Sequence, residues 1–269
     1  MKKKKYIPVY IVLILLILLV CFGFDHRLQT TNYTFHSSKL PAGFEGYKIA
    51  FLSDVHCKKF GSAQSTLLDA ISATEPDIIV ITGDLVDEDH TDLTPVQDLL
   101  AGATLIAPVY YVSGNHEFEE GAENQYAAME SMFTTYGVHD LDDDSVSLTK
   151  GDDSILLTGA KWRSRYVTQF LEPADTAKFN ILLYHGSDFF EELAPFNYDL
   201  ILAGHIHGGL IRLPFVGGLF TNTGELFPKY CSGSYTLANS TMISSRGLGD
   251  AFLPRFYNRP ELICITLSK

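Results

Sequence analysis

Cysteine is scarce in this chain, and its few copies form no pattern. Only four of the 269 residues are Cys, and one of them, Cys21, lies in an apolar N-terminal run. The other three, Cys57, Cys231 and Cys264, are odd in number and lack C-x-x-C spacing. This gives no support to a disulfide framework and argues against a zinc site made of thiolates. We expect Cys57 to be a small buried side chain rather than a reactive thiol.

Positive charge is also scarce once the first residues are set aside. The chain has 20 Lys and Arg against 32 Asp and Glu, and four of its lysines are Lys2 to Lys5. The strongly acidic remainder disfavours a nucleic-acid polymer as partner, because it would repel the phosphate backbone. No low-complexity segment or solenoid repeat is present, and a hydrophobic content of 46% is sufficient for the core of one large domain.

The N-terminus carries a long apolar run. Residues 7–24 contain no charged side chain, directly after the lysine cluster, and are about long enough to cross a bilayer. We therefore predict a single-pass transmembrane anchor in the cell membrane, with a cytoplasmic N-terminus and an extracytoplasmic main domain. A cleaved signal peptide is the alternative, although no small-x-small cleavage site is evident. The predicted organisation is an anchor with its lysine cluster at 1–24, a juxtamembrane linker with the first strand at 25–45, and the main domain at 46–269.

Five further apolar runs are predicted strands, and each ends in a polar residue. The runs KIAFLSD, IIVITGD, PVYYVSGN, NILLYH and LILAGH end at Asp54, Asp84, Asn115, His185 and His205. Helical patterns separate the first three runs, which is typical of βαβ units with a parallel sheet. Ligands bind at the edge where the carboxyl ends of such strands meet. We expect the five polar side chains to converge there, with His56 and His207 two residues beyond the first and last.

The remaining apolar runs are shorter and richer in β-forming residues. SILLTGA, LIRLP, STMISS and LICITL are separated by turns that contain Gly, Pro and Asn. They suggest a second sheet packed on the first. The expected fold class is α/β, with two sheets in the core and helices outside.

The polar residues at the strand ends belong to motifs that together resemble a known series. SDVH, GDLVD, GNHE, YH and GHIHGG, in this order, are similar to the motifs of the calcineurin-like metallophosphoesterases. A single His-x-His pair would favour a metal only weakly, since such pairs often lie on a solvated strand edge. The resemblance covers residues 46–269, and the tail SSRGLGDAFLPRFYNRPELICITL is similar to the membrane-associated bacterial branch. It implies a four-layer α-β-β-α sandwich of two mixed sheets.

The resemblance also implies a dinuclear metal centre. Asp54, His56 and His207 would bind one ion, Asn115, His185 and His205 would bind the other, and Asp84 would bridge them. Ligands of nitrogen and oxygen suit two divalent ions of Mn²⁺, Fe or Zn²⁺. Such a centre hydrolyses a phosphoester or pyrophosphate through a metal-bridging hydroxide. His116 of GNHE would protonate the leaving oxygen or stabilise its charge.

The sequence defines the substrate less closely than it defines the dinuclear metal centre. Membrane-associated relatives include hydrolases of UDP-2,3-diacylglucosamine, so the resemblance implies a phosphorylated small molecule or lipid, lipid-linked or a sugar nucleotide. One alternative is a phosphodiesterase for small nucleotides, and another is a non-catalytic metal-binding envelope protein. The loop after His185, YHGSDFF, departs from the usual family pattern, and Arg212 or Arg246 could meet either a phosphate or an acid. Neither the physiological metal nor the oligomeric state follows from these motifs.

Overall fold

The computed structural model describes residues 7–221, 224–250 and 253–269. Its α-helices are α1 (Ile7–Gly23), α2 (Ser65–Ala73), α3 (Thr94–Ala103), α4 (Glu123–Tyr136) and α5 (Phe190–Leu193). Its strands are β1 (Gln29–His36), β2 (Lys48–Leu52), β3 (Ile78–Thr82), β4 (Val109–Val112), β5 (His139–Asp140), β6 (Ser145–Lys150), β7 (Asp153–Gly159), β8 (Asn180–Gly186), β9 (Leu200–Gly204), β10 (Ile211–Leu213), β11 (Gly217–Phe220), β12 (Gly233–Leu237), β13 (Ser240–Ser244) and β14 (Glu261–Ser268).

Two mixed six-stranded sheets form the core. The first has the order β1-β14-β2-β3-β4-β5, in which β14 is antiparallel to β2 and the other neighbours are parallel. The second has the order β12-β13-β9-β8-β7-β6, with antiparallel pairs only at its two ends. Strands β10 and β11 form a separate hairpin. The expected α/β sandwich of two mixed sheets is confirmed.

Alternation along the strands produces three buried apolar layers. In β3, Ile79 faces α2, α3 and α4, whereas its neighbour Val80 faces the second sheet, because successive side chains of a strand point to opposite sides. Leu202 of β9 meets Val80 in the layer between the sheets. Phe190 of α5 packs on the outer face of the second sheet, where the helical layer consists of α5 and short 3₁₀ turns.

The division of the apolar runs between the sheets differs from the expectation. NILLYH and LILAGH, predicted beside the first three runs, form the centre of the second sheet as β8 and β9. LICITL, predicted in the second sheet, forms β14 in the middle of the first sheet, where it pairs with both β1 and β2. LIRLP supplies β10 of the hairpin, whereas SILLTGA and STMISS do join the second sheet. All these runs are apolar, and apolarity alone does not specify a partner strand.

The predicted anchor falls on the N-terminal helix. This helix covers Ile7–Gly23, which is 17 residues, and Lys2 to Lys5 lie outside the described residues. Within the described parts of the chain, no helix has both the length and the apolarity needed to cross a membrane. The predicted transmembrane helix is therefore not supported by the structure.

Candidate metal centre

The predicted polar residues converge on one edge of the sandwich, and both sheets contribute. Asp54, Asp84 and Asn115 follow β2, β3 and β4 of the first sheet. His185 lies near the end of β8, and His205 follows β9, both in the second sheet. The sequence predicted one shared sheet edge, whereas the structure joins the carboxyl ends of two sheets.

Asp84 is the residue that the two halves of the cluster share. Its Oδ2 atom lies 3.0 Å from His185 Nε2 and 3.7 Å from His56 Nε2. On one side, His205 Nδ1 lies 3.1 Å from His185 Nε2. On the other side, His207 Nε2 lies 3.2 Å from His56 Nε2. Imidazole nitrogens that face each other at this distance can be bridged by a proton or can converge on a metal ion.

Two groups of potential ligands result from this geometry. Within each group the ligand atoms lie within 4.8 Å of one another, and all the side chains are buried. The first group contains Asp54, His56, Asp84 and His207, and the second contains Asp84, His185 and His205. This division matches the one implied by the motifs, and Asp84 alone occurs in both groups.

Asn115 offers a further oxygen donor close to Asp84, since the N–H of the next residue, His116, donates to Asp84 Oδ1 at 3.0 Å. The Oδ1 atom of Asn115 is buried and has no hydrogen-bond partner among the described residues. A buried polar atom without a partner is costly, and a cation would satisfy it. Oxygen and nitrogen donors of this kind suit hard and borderline divalent ions. The residues present therefore fit a divalent metal centre.

The backbone of the cluster is strained, because several of its residues adopt left-handed φ angles. Five of the predicted ligands have positive φ angles, a region that residues other than Gly seldom occupy. They are Asp54 (53°), His56 (47°), Asp84 (52°), His205 (79°) and His207 (46°). Strain of this kind costs about 1–3 kcal/mol for each residue and persists only where the surroundings enforce it.

Hydrogen bonds between the loops enforce these conformations. The backbone N–H of His56 donates to Asp84 O at 2.9 Å, and that of Asp54 donates to Gly83 O at 3.1 Å. Across the two sheets, the N–H of His205 donates to Asp54 Oδ1 at 2.9 Å. A Cβ atom at Gly204 would collide with Asp54 Oδ2, which explains why Gly precedes His205.

Glu117, the last residue of GNHE, fastens two of the loops together. Its buried carboxylate accepts hydrogen bonds from the backbone N–H groups of Asp84 at 3.0 Å, Leu85 at 2.8 Å and Gly114 at 2.7 Å. Burial, together with the charge of Asp84, raises the pKa of Glu117 to about 7. Glu117 was not among the residues predicted from the sequence, although its place in GNHE was a usable signal.

Outer partners orient two of the imidazoles. His185 Nδ1 lies 2.7 Å from Thr82 O, and a carbonyl only accepts, so Nδ1 carries a proton and Nε2 is directed at Asp84. Asp87 Oδ2 lies 3.5 Å from His56 Nδ1. Asp87 is the final residue of GDLVD, and the sequence analysis gave it no role.

The charges of the cluster depend on one another. Burial disfavours the charged form of His185, but the Asp84 carboxylate outweighs it and raises the pKa of His185 to about 10. Burial likewise opposes ionisation of Asp84, yet His185 holds its pKa well below the usual range. Burial lowers the pKa of His205 to about 3, which keeps this imidazole neutral and able to bind a cation.

His116 lies beside the cluster but in neither ligand group. Its ring is 4.7 Å from that of His56, centre to centre, and its Nδ1 lies 2.9 Å from Glu88 Oε2. Burial lowers the pKa of His116, but the carboxylates of Asp84 and Glu88 raise it more, and the net shift is upward. The imidazole is partly exposed, so a substrate can reach it.

The C-terminal tail supports the loop that carries His207. Asn258 Nδ2 donates to His207 O at 2.6 Å and to Leu210 O at 3.1 Å. The guanidinium of Arg255 is completely buried, donates to Gly249 O, and lies 3.4 Å from His207 Nδ1. The tail PRFYNRPE thus contacts both the backbone and the imidazole of His207, which no residue spacing in the sequence indicates.

Several other residues considered in the sequence have internal partners. Arg246 pairs with the buried Glu261 at 2.8 Å, and Arg212 donates to Gly208 O at 2.6 Å. Cys57 is buried, and burial raises the pKa of its thiol to about 12, as expected for a small core residue.

Trp162 lies over His185 and His205, with ring-centre distances of 5.3 and 4.9 Å.

Comparisons with known proteins agree with this site. The calcineurin-like phosphoesterase family matches residues 47–209. The chain is 30% identical to the uncharacterized metallophosphoesterase YkuE of Bacillus subtilis (strain 168), over 90% of this chain and 86% of YkuE. It is 28% identical to the phosphodiesterase YaeI of Escherichia coli (strain K12), over 82% of each chain.

The two-sheet fold, the cluster of buried carboxylates and imidazoles, and the similarity to known phosphoesterases together define the class of this protein. It is a metal-dependent phosphoester hydrolase. The chain belongs to the calcineurin-like phosphoesterase family. If the protein were a non-catalytic metal-binding protein, we would expect one of the ligands or the histidine of GNHE to be missing. Both ligand groups and His116 are present.

Replacing Glu117 with Ala is expected to destabilise the protein strongly. At least three buried N–H groups would lose their acceptor, and the free energy of unfolding should fall by about 3 kcal/mol or more. Denaturation followed through the fluorescence of Trp162, the single Trp, measures the loss. Glu119→Ala, at an exposed position two residues away, is the matched control. Equal midpoints for the two variants would contradict the fastening role.

Proposed function

We propose that this protein hydrolyses a phosphoester or pyrophosphate bond with two divalent metal ions, and that its substrate is lipid-linked or a sugar nucleotide such as UDP-2,3-diacylglucosamine. The observation that carries the proposal is the sharing of Asp84 by two groups of potential ligands. Asp54, His56 and His207 complete one metal site with Asp84. Asn115, His185 and His205 complete the other.

The chain's own residues have distinct parts in the proposed reaction. Bound divalent cations would supply an activated water and offset the charge that builds on the phosphoryl group. Asp84 Oδ2, which faces His56 and His185, holds the two sites at a fixed spacing. Glu88 accepts a hydrogen bond from His116 Nδ1, which leaves Nε2 to deliver a proton to the leaving oxygen. The upward shift of the His116 pKa favours the protonated form that this step needs.

A small-nucleotide phosphodiester is the second candidate substrate. The indole of Trp162 lies against the ligand histidines and is only partly buried, so a base could stack on it. YaeI is named a phosphodiesterase. Rates with lipid-linked, sugar-nucleotide and small-nucleotide substrates would separate the two candidates.

We further propose that the N-terminal segment attaches the protein to the cell membrane and that the catalytic domain lies on the extracytoplasmic side. Helix α1 has a largely apolar surface, and the exposed side chains in it include Val9, Ile11 and Ile17. A helix that is apolar on all sides is otherwise found only inside a protein or a membrane. The lysine cluster before it favours a cytoplasmic N-terminus.

Removing the shared carboxylate should weaken metal binding and strongly reduce activity. In the full-length protein, Asp84→Ala is expected to bind fewer than two ions per chain. Its hydrolysis of bis(p-nitrophenyl) phosphate should fall by more than about 100-fold, since both sites lose a ligand. Elemental analysis and the initial rate with added Mn²⁺ measure the two effects, and a chelator should stop the wild-type reaction. Asp69→Ala, at an exposed position of α2, serves as control. Full activity of Asp84→Ala would refute the shared site.

His116→Ala should separate catalysis from metal binding. The variant is expected to retain both ions but to lose about 10²- to 10⁴-fold in kcat, the usual contribution of a general acid. The loss should be smaller with a leaving group that needs no proton, such as p-nitrophenolate, than with an alkoxide. His36→Ala, at the exposed end of β1, is the control. A similar loss with both leaving groups would count against proton donation.

The topology can be tested with reporters fused after Lys269. Alkaline phosphatase at this position should be active and green fluorescent protein should be dark, since the first works outside the cytoplasm and the second inside. The reverse pattern would place the catalytic domain in the cytoplasm. Membrane fractionation in the presence of high salt tests whether attachment depends on apolar contact.

A further inference from the structure

An apolar hairpin projects directly from the candidate metal centre. The hairpin of β10 and β11 begins at Ile211, four residues after His207, and Phe215 at its tip is fully exposed. Val216 beside it and Leu213 before it are also exposed. The backbone of Phe227 donates to Leu219 O, which brings exposed Leu226 and Phe227 next to the same hairpin. We call Leu213, Phe215, Val216, Leu226 and Phe227 the hairpin patch.

The hairpin patch contains more adjacent exposed apolar side chains than is usual on the surface of a soluble protein. Isolated exposed apolar residues are normal on soluble proteins. Here two aromatic and three aliphatic side chains are exposed on one small structural unit, which marks an interaction surface. Nothing in the proposed reaction uses these side chains.

Helix α1 leaves the domain from the same edge as the hairpin. Strand β14 is antiparallel to β2, with Ile263 opposite Phe51, so its start lies at the end of β2 where Asp54 follows. Strand β1 is parallel to β14, with Gln29 opposite Glu261. The start of β1, and therefore the chain arriving from α1, lies at the edge of the sandwich that holds the metal ligands.

Direct contacts join α1 to the hairpin through two neighbouring residues. Tyr257 donates from its backbone to Gly23 O and from its hydroxyl to Leu19 O, each at 2.6 Å. The ring of Phe256 packs on Phe24 at 5.0 Å. The carbonyl of Phe256 accepts a hydrogen bond from the N–H of Arg212 in β10 at 2.8 Å.

From this juxtaposition we infer that the hairpin patch is a second contact with the lipid bilayer. Together with α1 it turns the metal-centre edge toward the membrane surface. A bilayer fits better than another protein because the patch continues from a helix whose exposed surface is itself apolar. The phosphate of a membrane lipid would then lie at the level of the ligand histidines. The lipid contact rests on the proposed membrane attachment of α1, and this last consequence rests also on the proposed reaction.

Lipid contact can be measured at the tip without reference to activity. The full-length protein with Cys21→Ser, whose other cysteines are buried, accepts an NBD label at Phe215→Cys or, as control, at Leu105→Cys. Leu105 is 88% exposed and lies before β4, at the opposite end of the strand from Asn115. In phosphatidylcholine vesicles we expect a blue shift and quenching by nitroxide lipids at position 215 only. An unshifted emission at position 215 would overturn the inference. A blue shift without quenching by nitroxide lipids would also overturn it, because it would indicate that the patch is covered by protein instead of lipid.

The catalytic consequence is tested by comparing a soluble and a membrane substrate. The double variant Phe215→Ser, Val216→Ser should hydrolyse bis(p-nitrophenyl) phosphate within about twofold of wild type. Its kcat/KM on a lipid phosphodiester in vesicles should fall by about tenfold or more. Leu105→Ser should change neither rate. Equal loss on both substrates would overturn the inference, whereas a wild type inactive on both would refute the proposed function and leave the labelling result standing.

Discussion

The meeting of buried carboxylates and imidazoles around Asp84 is the constraint on which the rest of this structure depends. Two sheets, each with its own apolar packing, end at this point. Hydrogen bonds join their corners directly, from the N–H of His205 to Asp54 and from His185 Nδ1 to Thr82 O. Facing nitrogens separated by 3.1 and 3.2 Å need a proton or a cation between them, because lone pairs otherwise repel each other in a medium of low polarity. Repulsion between these lone pairs destabilises the fold when no cation is bound. The same facing nitrogens make this edge a favourable cation site.

The strain at the ligand residues shows how much of the fold serves this site. Left-handed φ angles at five ligands would together destabilise the domain by several kcal/mol if nothing compensated them. Compensation comes from groups outside the ligand set, such as the carboxylate of Glu117 and the side-chain amide of Asn258. These residues are as necessary to the geometry as the ligands, although they donate nothing to a metal.

The sequence predicted which polar residues converge at this edge better than it predicted the strand order around them. A polar residue after an apolar run marks the same edge whichever sheet the run joins, so the convergence of Asp54, Asp84 and His205 could be predicted from the sequence. The assignment of β8, β9 and β14 to their sheets failed because all three are buried on both faces and carry no alternation that would reveal their neighbours. Asp87, Glu117, Arg255 and Asn258 were missed for a different reason. Most of their partners are backbone groups or distant side chains, which only the folded chain brings near.

The direction in which the active edge faces follows from strand order alone. Because β14 is antiparallel to β2, a strand parallel to β14 must begin at the end where β2 stops. An apolar helix placed before β1 is therefore forced to leave the domain beside the metal ligands rather than at the far end of the strands. An apolar hairpin inserted after GHIHGG reaches the same side, since it starts from a ligand loop. In the membrane-attached arrangement proposed above, insertion of either element elsewhere in the chain would separate lipid contact from the candidate metal centre.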